Sequence, residues 1–169
     1  AGLTSALGAV SRRAENSGKS SAFLVAAVSN LSIINDTFDF SLVADHFLAH
    51  GSLNNPSFLD GQLVAALALQ EDDVVVDLGA GTGYFSFPVS AFVPDGRVLA
   101  VDIQPEMLAK VTSRAARAGL QHRIEVHRSS ETALGVEGQF DFINAFYMVH
   151  EVPETDSFLR QIYASMAPG

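Results

Sequence analysis

The sequence predicts an α/β fold built on a doubly wound parallel sheet, of which about four strands can be recognised. Three observations support this. From Asp73 onward, strand-like and helix-like segments alternate along the chain. The first of these strands, residues 74–78, is almost wholly apolar, as is typical of a parallel strand buried on both faces. A glycine-rich turn joins it to the next helix, and repeated strand–helix–strand units form right-handed crossovers between parallel strands.

Residues 1–55 precede this alternating pattern and are predicted to form a helical extension. Within them, residues 1–30 are expected to be helical except at residues 15–21, where Asn, Ser and Gly cluster and favour a flexible break. A further helix is predicted at residues 57–69, where leucine and valine recur at helical spacing.

The core, residues 56–169, contains four predicted strands that alternate with helices. The strands are expected at residues 74–78, 97–101, 123–127 and 140–145. Helices are expected between them at residues 82–92 and 105–118, and after the last strand at residues 155–166. Pro105 suits the first turn of its helix, and Gly119 suits the C-terminal cap.

Composition excludes several classes of function. With 19 acidic and 10 basic residues the chain has a formal net charge of −9, which argues against a nucleic-acid partner, since phosphates require cations. The chain contains no cysteine, so disulfides, thiolate metal sites and a cysteine nucleophile are excluded. The longest apolar stretch, residues 23–34, is too short to cross a bilayer, so no membrane partner is expected. The first residue is not methionine, which leaves open a cytoplasmic location or export after removal of a leader.

The most informative segment is the glycine-rich loop Asp77-Leu78-Gly79-Ala80-Gly81-Thr82-Gly83-Tyr84. A loop between a buried strand and a helix lies at the carboxyl edge of a parallel sheet, where such folds bind ligands. A dinucleotide fingerprint would have its third glycine at position 84, where this chain has tyrosine, and the Lys-Ser or Lys-Thr pair of a P-loop does not follow. The carboxylate of Asp77 would repel a pyrophosphate but attract an ammonium or sulfonium group. The loop therefore predicts a cationic nucleoside cofactor.

A second anchor is predicted at Asp102, the last residue of the second strand. An acidic residue at a strand end often caps the following helix, which is the alternative interpretation. Asp102 ends the strand that follows the glycine loop, however, and a carboxylate there can accept hydrogen bonds from both ribose hydroxyls. This placement favours the interpretation in which Asp102 binds the ribose of the cofactor.

Two segments, residues 74–84 and 101–108, resemble the first two motifs of class I S-adenosylmethionine-dependent methyltransferases. They are similar to the small-molecule branch, which includes ubiquinone-biosynthesis C-methyltransferases, and the similarity extends over about residues 56–169. The resemblance implies a Rossmann-like sheet, S-adenosylmethionine as cofactor, methyl transfer to a small-molecule acceptor, and residues 1–55 as a lid over the pocket. It assigns cofactor binding to Asp77, Gly79, Ala80, Gly81, Thr82 and Gly83, with Asp102 on the ribose and Ile103 against the adenine.

The chain departs from the family pattern after the third strand. There the family commonly has Gly-Asp-Ala with its aspartate on the adenine amino group, whereas this chain has Ser129-Ser130-Glu131. Ser130 takes the aspartate position and Glu131 is a substitute acceptor, while an ordinary polar turn is the alternative. Asn144, in the fourth strand, is predicted to meet the cofactor where cofactor and substrate come together.

Catalytic residues are predicted directly after the fourth strand. His150 is the candidate general base because its unperturbed pKa lies near neutrality, the alternative being a structural hydrogen-bonding role. Tyr147 is the candidate that orients the acceptor. His46 and His50 share a predicted helical face close to Asp45, but no third ligand at diagnostic spacing accompanies them, so no metal site is predicted.

The resemblance implies seven strands, of which four are recognised, so the core is expected to lack the last strands. An uncovered fourth strand would expose unpaired backbone groups. Either residues before 56 cover this edge or two copies of the chain pair through it as a homodimer. Two other functions remain open: a cofactor-binding domain without catalysis, and a nicotinamide-dependent oxidoreductase, which the glycine spacing and Asp77 disfavour.

Overall fold

The computed structural model describes residues 22–27, 30–33, 69–146, 148 and 152–167. Within these ranges six strands form one sheet. The strands are β1 (Ala22–Ala27), β2 (Asn30–Ile33), β3 (Val74–Leu78), β4 (Arg97–Asp102), β5 (Ile124–Arg128) and β6 (Phe142–Phe146). The helices are α1 (Ser86–Ser90), α2 (Pro105–Ala118) and α3 (Thr155–Ser165). None of the helices in the described ranges is long and apolar enough to span a membrane.

The strand order across the sheet is β2-β1-β6-β3-β4-β5. Neighbouring strands are parallel except for the antiparallel pair β1–β2. The four predicted strands are therefore present and parallel, in the order β6-β3-β4-β5. Each lies within two residues of its predicted bounds at either end, which confirms the predicted α/β class.

Two apolar layers cover the two faces of the sheet, because successive side chains of a strand point to opposite faces. Val75 packs in the layer that contains α1 and α2, represented by Val89 and Val111. Val76 packs in the opposite layer with α3, represented by Ile162. Residues of β3 are thus buried on both sides, as the apolar run predicted.

The sequence signals for helix ends are confirmed in α2 and are wrong for α1. Helix α2 begins with Pro105 and ends at Ala118, and the following Gly119 caps it with a φ of 69°, the left-handed conformation typical of a glycine cap. Helix α1 begins at Ser86 rather than at the predicted Thr82, since the residues between them form turns instead of a continuous helix.

The prediction of helix for the described residues before 56 is wrong. Residues 22–27 and 30–33 form β1 and β2, and β1 pairs in parallel with β6 from Ala22↔Phe142 to Ala26↔Phe146. The alanines there favour a helix intrinsically, but strand pairing along an open sheet edge overrides a weak local preference. The rest of the predicted helical extension, and its boundary at residue 55, lie outside the described residues.

The edge of β6 is the place where the sequence left two alternatives open. Strand β1 covers it with a register of five residue pairs, so the first alternative, coverage by residues before 56, is the one observed. The backbone groups of β6 on this side are paired within the chain, and a second copy therefore does not have this edge available.

Candidate functional site

The glycine loop folds over the carboxyl end of β4. The backbone N–H groups of Gly79 and Ala80 both donate to the carbonyl oxygen of Val101, at 2.8 and 2.9 Å. Gly79 has a φ of 72°, and a Cβ built there would lie 2.7 Å from the Cβ and Cγ of Met148. The first glycine is therefore required both for its backbone conformation and for the close approach of Met148.

Asp102 lies beside this loop, almost fully buried, at 7% exposure. One carboxylate oxygen, Oδ2, accepts a hydrogen bond from the Gly81 N–H at 2.8 Å. The other, Oδ1, accepts from the Gln104 N–H at 2.8 Å. Two backbone donors thus fix the orientation of the carboxylate, and each oxygen keeps further acceptor capacity for a ligand hydroxyl. The contact to Gly81 joins the two predicted anchors into one site.

A cavity of about 360 Å³ opens at this carboxyl edge, on the α3 side of the sheet. It brings together residues that the sequence assigned to one cofactor from three separate segments: Gly79, Asp102, Ile103, Ser130 and Glu131. The cavity is also lined by residues that the sequence did not predict: Leu78, Val101, Gln104, Ser129, Met148, Val152, Pro153 and Phe158.

The unpredicted lining residues fall into two groups. Several are neighbours in sequence of the predicted anchors, so the motif spacing already indicated their position. Val152, Pro153 and Phe158 instead come from the segment that enters α3 and from α3 itself, where the sequence assigned no cofactor-binding residue. A signal was nevertheless present, because Phe158, Leu159 and Ile162 recur at helical spacing within the predicted last helix.

Ser130 sits in a tight turn at the cavity edge. Its Oγ accepts hydrogen bonds from the Ala133 N–H at 3.1 Å and the Thr132 N–H at 3.4 Å. Its own backbone N–H donates to the Ala133 carbonyl at 3.0 Å. The residue therefore both stabilises a polar turn and lines the cavity, so the two interpretations of this segment are compatible.

Asp77 is buried beneath the glycine loop, where it contacts Ser86 and Asn144. The Asn144 Nδ2 donates to Asp77 Oδ1 at 2.8 Å, and the Ser86 Oγ donates to Asp77 Oδ2 at 2.5 Å. All three side chains are at most 2% exposed. Burial raises the pKa of Asp77 from 3.8 to about 6, although the hydrogen bonds from Ser86 and Asn144 oppose the rise.

The side chain of Asp77 does not point toward the cavity, in contrast to the contact with the cofactor that the sequence suggested. Asp77 is in phase with Val75 along β3 and faces α1, whereas the cavity is on the side of Leu78. Neither Asp77 nor Asn144 lines the cavity, so their side chains support the loop from below. The structure brings these two predicted residues together, but apart from the group around Asp102.

The remaining loop residues are held from the side of α2. The Arg114 guanidinium donates to the Thr82 carbonyl and lies 4.2 Å from the centre of the Phe87 ring. The Phe87 ring fills the space beside Gly83, where a Cβ would lie 2.6 Å from its edge. Ala80 is 6% exposed and packs in the core, so its backbone rather than its side chain faces the site.

The two predicted catalytic residues, Tyr147 and His150, lie outside the described residues, as do His46, Asp45 and His50. Among the residues that the structure describes, no group of three or more histidine and carboxylate side chains is close enough to hold a metal ion.

Comparison with known proteins decides the family. The sequence model of the family described as "Methyltransferase domain" matches residues 75–169, more than half of the chain. The chain belongs to this methyltransferase family. The matched range begins in β3 and includes the glycine loop, Asp102 and α3, so it covers the described cavity. The predicted class I S-adenosylmethionine-dependent methyltransferase family is thereby confirmed.

Curated relatives of this methyltransferase chain share about a third of the aligned residues. It is 31% identical over 97 residues to the ubiquinone/menaquinone biosynthesis C-methyltransferase UbiE of Nitrobacter hamburgensis, covering 56% of this chain and 38% of that protein. It is 32% identical over 114 residues to an arsenite methyltransferase of Aquipseudomonas alcaligenes, covering 63% of this chain and 33% of that protein. The chain thus spans well under half the length of these two relatives.

A solved structure supports the same family. The crystal structure of a SAM-dependent methyltransferase from Aquifex aeolicus superimposes with a TM-score of 0.60 and 29% sequence identity. The match covers 78% of this chain and 69% of the other. The Rossmann-like arrangement predicted for the parallel sheet is therefore confirmed.

Proposed function

We propose that this chain binds S-adenosylmethionine in the cavity at the carboxyl edge of β3 and β4 and transfers its methyl group to a small-molecule acceptor. The observation that carries the proposal is the Asp102 carboxylate, which the Gly81 and Gln104 N–H groups hold at the cavity wall. A carboxylate fixed in this way suits the two hydroxyls of a ribose.

The cavity suits a nucleoside without phosphates. Its charged lining residues in the described part of the chain are the carboxylates of Asp102 and Glu131, and no lysine or arginine lines it there. Such a charge balance disfavours a pyrophosphate and therefore a nicotinamide dinucleotide. Apolar surface for a purine ring is available at Ile103, which is 43% exposed, and at Val152 and Pro153.

The glycine loop supplies the rest of the binding site. Bound there, the cofactor supplies an electrophilic methyl group on a sulfonium, which is a good leaving group. The chain's own contribution is to position the reacting groups and to exclude water, since positioning alone lowers such barriers substantially. We propose that Met148, which lies against Gly79 and lines the cavity, closes the methionine end.

His150 and Tyr147 complete the proposal. His150 would remove a proton from the acceptor when the attacking atom carries one, and Tyr147 would orient the acceptor. Both follow the end of β6 in the chain, close in sequence to the lining residues Met148 and Val152. We further propose that the part of residues 1–55 outside β1 and β2 contributes a lid that selects the acceptor.

The small-molecule nature of the acceptor is supported by the relatives. One is named for ubiquinone and menaquinone biosynthesis, and another is named an arsenite methyltransferase. Both names refer to small molecules, which accords with the expectation drawn from the sequence.

Calorimetric titration with S-adenosylhomocysteine tests the binding step. We expect micromolar binding by the wild-type chain, loss of most of it in Asp102→Ala, and no change in Asp95→Ala. Asp95 is the matched control because it is an exposed aspartate that does not line the cavity.

Binding must then be linked to transfer. Incubation with methyl-labelled S-adenosylmethionine and a panel of small acceptors should move label to at least one of them. Binding without transfer to any acceptor would instead favour the cofactor-binding domain that lacks catalysis. Failure of the wild-type chain to bind would overturn the assignment of the cavity.

A further inference from the structure

We propose that this site discriminates poorly between a nucleoside with a 6-amino purine and one with a 6-oxo purine. Ser130 offers one hydrogen-bond donor and Glu131 one acceptor at the edge of the base, and either purine can pair with both. This inference rests on the proposed function, which places a nucleoside with its ribose at Asp102 and its base beside Ile103. It adds a specificity property that follows from the hydrogen bonds of the 130–133 turn.

The acceptor capacity of the Ser130 hydroxyl is already used within the turn. A hydroxyl has two lone pairs and one proton. The N–H groups of Ala133 and Thr132 occupy the Oγ at 3.1 and 3.4 Å. The group left for a ligand is the O–H proton, so Ser130 acts toward the cavity as a donor.

Glu131 supplies the complementary group. It follows Ser130 directly, lines the same cavity and is exposed, and its ionised carboxylate is an acceptor only. The base edge therefore meets one donor and one acceptor, and the described cavity lining contains no basic side chain at this end.

Both purines match this pair. Adenine offers an acceptor at N1 and a donor at its 6-amino group. Hypoxanthine offers a donor at N1 and an acceptor at its 6-oxygen, so the two groups are exchanged but the set is the same. The Ser130 hydroxyl is held in the turn, so a small tilt of the base brings either acceptor to its proton, and the exposed Glu131 side chain rotates to accept from the remaining donor.

Solvent exposure strengthens this expectation. Strong discrimination against an analogue requires that a buried polar group of the site be left unpaired. Ser130 and Glu131 are both exposed, so water can satisfy whichever group the base does not. A mismatch at this edge therefore leaves no buried group without a partner.

The test compares the affinities for S-adenosylhomocysteine and S-inosylhomocysteine in the wild-type chain, Ser130→Asp and Thr132→Asp. An aspartate can maintain the turn, because its side-chain oxygen accepts the same backbone N–H groups. It replaces the hydroxyl donor with a second acceptor, which only the two protons of a 6-amino group can satisfy together with Glu131. Thr132→Asp adds the same charge to the same turn at a position that does not line the cavity.

We expect the two ligands to bind the wild-type chain within about fivefold of each other, and Ser130→Asp to raise the preference for the adenosyl ligand to about tenfold or more. Thr132→Asp should leave the ratio unchanged. A wild-type preference of about fiftyfold or more, or a ratio that Ser130→Asp does not alter, would overturn the inference while leaving the proposed function intact. If neither ligand binds, the proposed function itself fails.

Discussion

Replacing Gly79 and Gly81 by alanine, one at a time, separates two reasons why the loop needs glycine. Both residues have a positive φ, 72° and 54°, so either alanine carries a conformational cost of roughly 1–2 kcal/mol. The surroundings differ: the new Cβ at Gly79 would lie 2.7 Å from two atoms of Met148, whereas at Gly81 nothing lies within 4 Å. Overpacking adds about 1–3 kcal/mol, so Gly79→Ala should lose about 2–5 kcal/mol and Gly81→Ala about 1–2 kcal/mol.

Urea unfolding measures this difference directly, with the free energy of unfolding taken from the midpoint and slope of each transition. Because Met148 lines the cavity, Gly79→Ala should also weaken S-adenosylhomocysteine binding in those preparations that remain folded. Equal destabilisation by the two alanines, within about 0.5 kcal/mol, would refute the close contact between Gly79 and Met148.

Three further predictions address the groups around the loop. Burial raises the pKa of Asp77 to about 6, so the folded state binds the proton more tightly than the unfolded state does. Relative to Asp77→Asn, the wild-type chain should therefore lose stability as the pH rises from about 4 to about 6. Urea unfolding measures this, and a stability difference between the two proteins that stays constant across this range would contradict the buried charge. Arg114→Ala removes the donor to the Thr82 carbonyl and should weaken S-adenosylhomocysteine binding by roughly threefold to tenfold in calorimetry. Arg117 is exposed on the same helix, so Arg117→Ala should leave the affinity unchanged. Once an acceptor is available, His150→Gln should lower the rate of methyl transfer by roughly a hundredfold or more and leave the cofactor affinity unchanged. A His150→Gln variant with full activity would exclude His150 as the base.

The sequence predicted the parts of the site that depend on local spacing. The glycine loop follows one strongly apolar strand and Asp102 ends the next, and parallel strands bring their carboxyl ends to one edge. That geometry is a general property of the fold, so the glycine loop and Asp102 were expected at one edge, whereas the hydrogen bond between Gly81 and Asp102 was not predicted. Ile103, Ser130 and Glu131, which the resemblance to the methyltransferase family assigned to the cofactor, also line the cavity.

Long-range packing accounts for what the sequence did not predict. Val152 and Phe158 reach the cavity from the α3 side, a placement set by the tertiary packing of α3 on the sheet, which the spacing of residues in the sequence does not show. The strand β1 was mistaken for helix because its alanine-rich composition carries no information about the open edge of β6.

Asp77 was assigned to the site from the sequence, but the orientation of its side chain was not predicted. Its position before the glycines suggested direct contact with a cationic ligand, but alternation along β3 places its side chain in phase with Val75 and toward Ser86. The two-residue period of a strand was available in the sequence and indicates this orientation. The lesson is that a motif residue at a strand end must also be assigned to one face of the sheet.

The most direct test of the central claim is a double-mutant cycle between the Asp102 carboxylate and a ribose hydroxyl. S-adenosylhomocysteine and its 2′-deoxy analogue are titrated into the wild-type chain and into Asp102→Ala. If Asp102 holds the ribose, removal of the hydroxyl weakens binding to the wild-type chain by about tenfold or more and has little further effect in Asp102→Ala. Equal losses from the deoxy analogue in both proteins would show that Asp102 does not contact the ribose and would contradict the account.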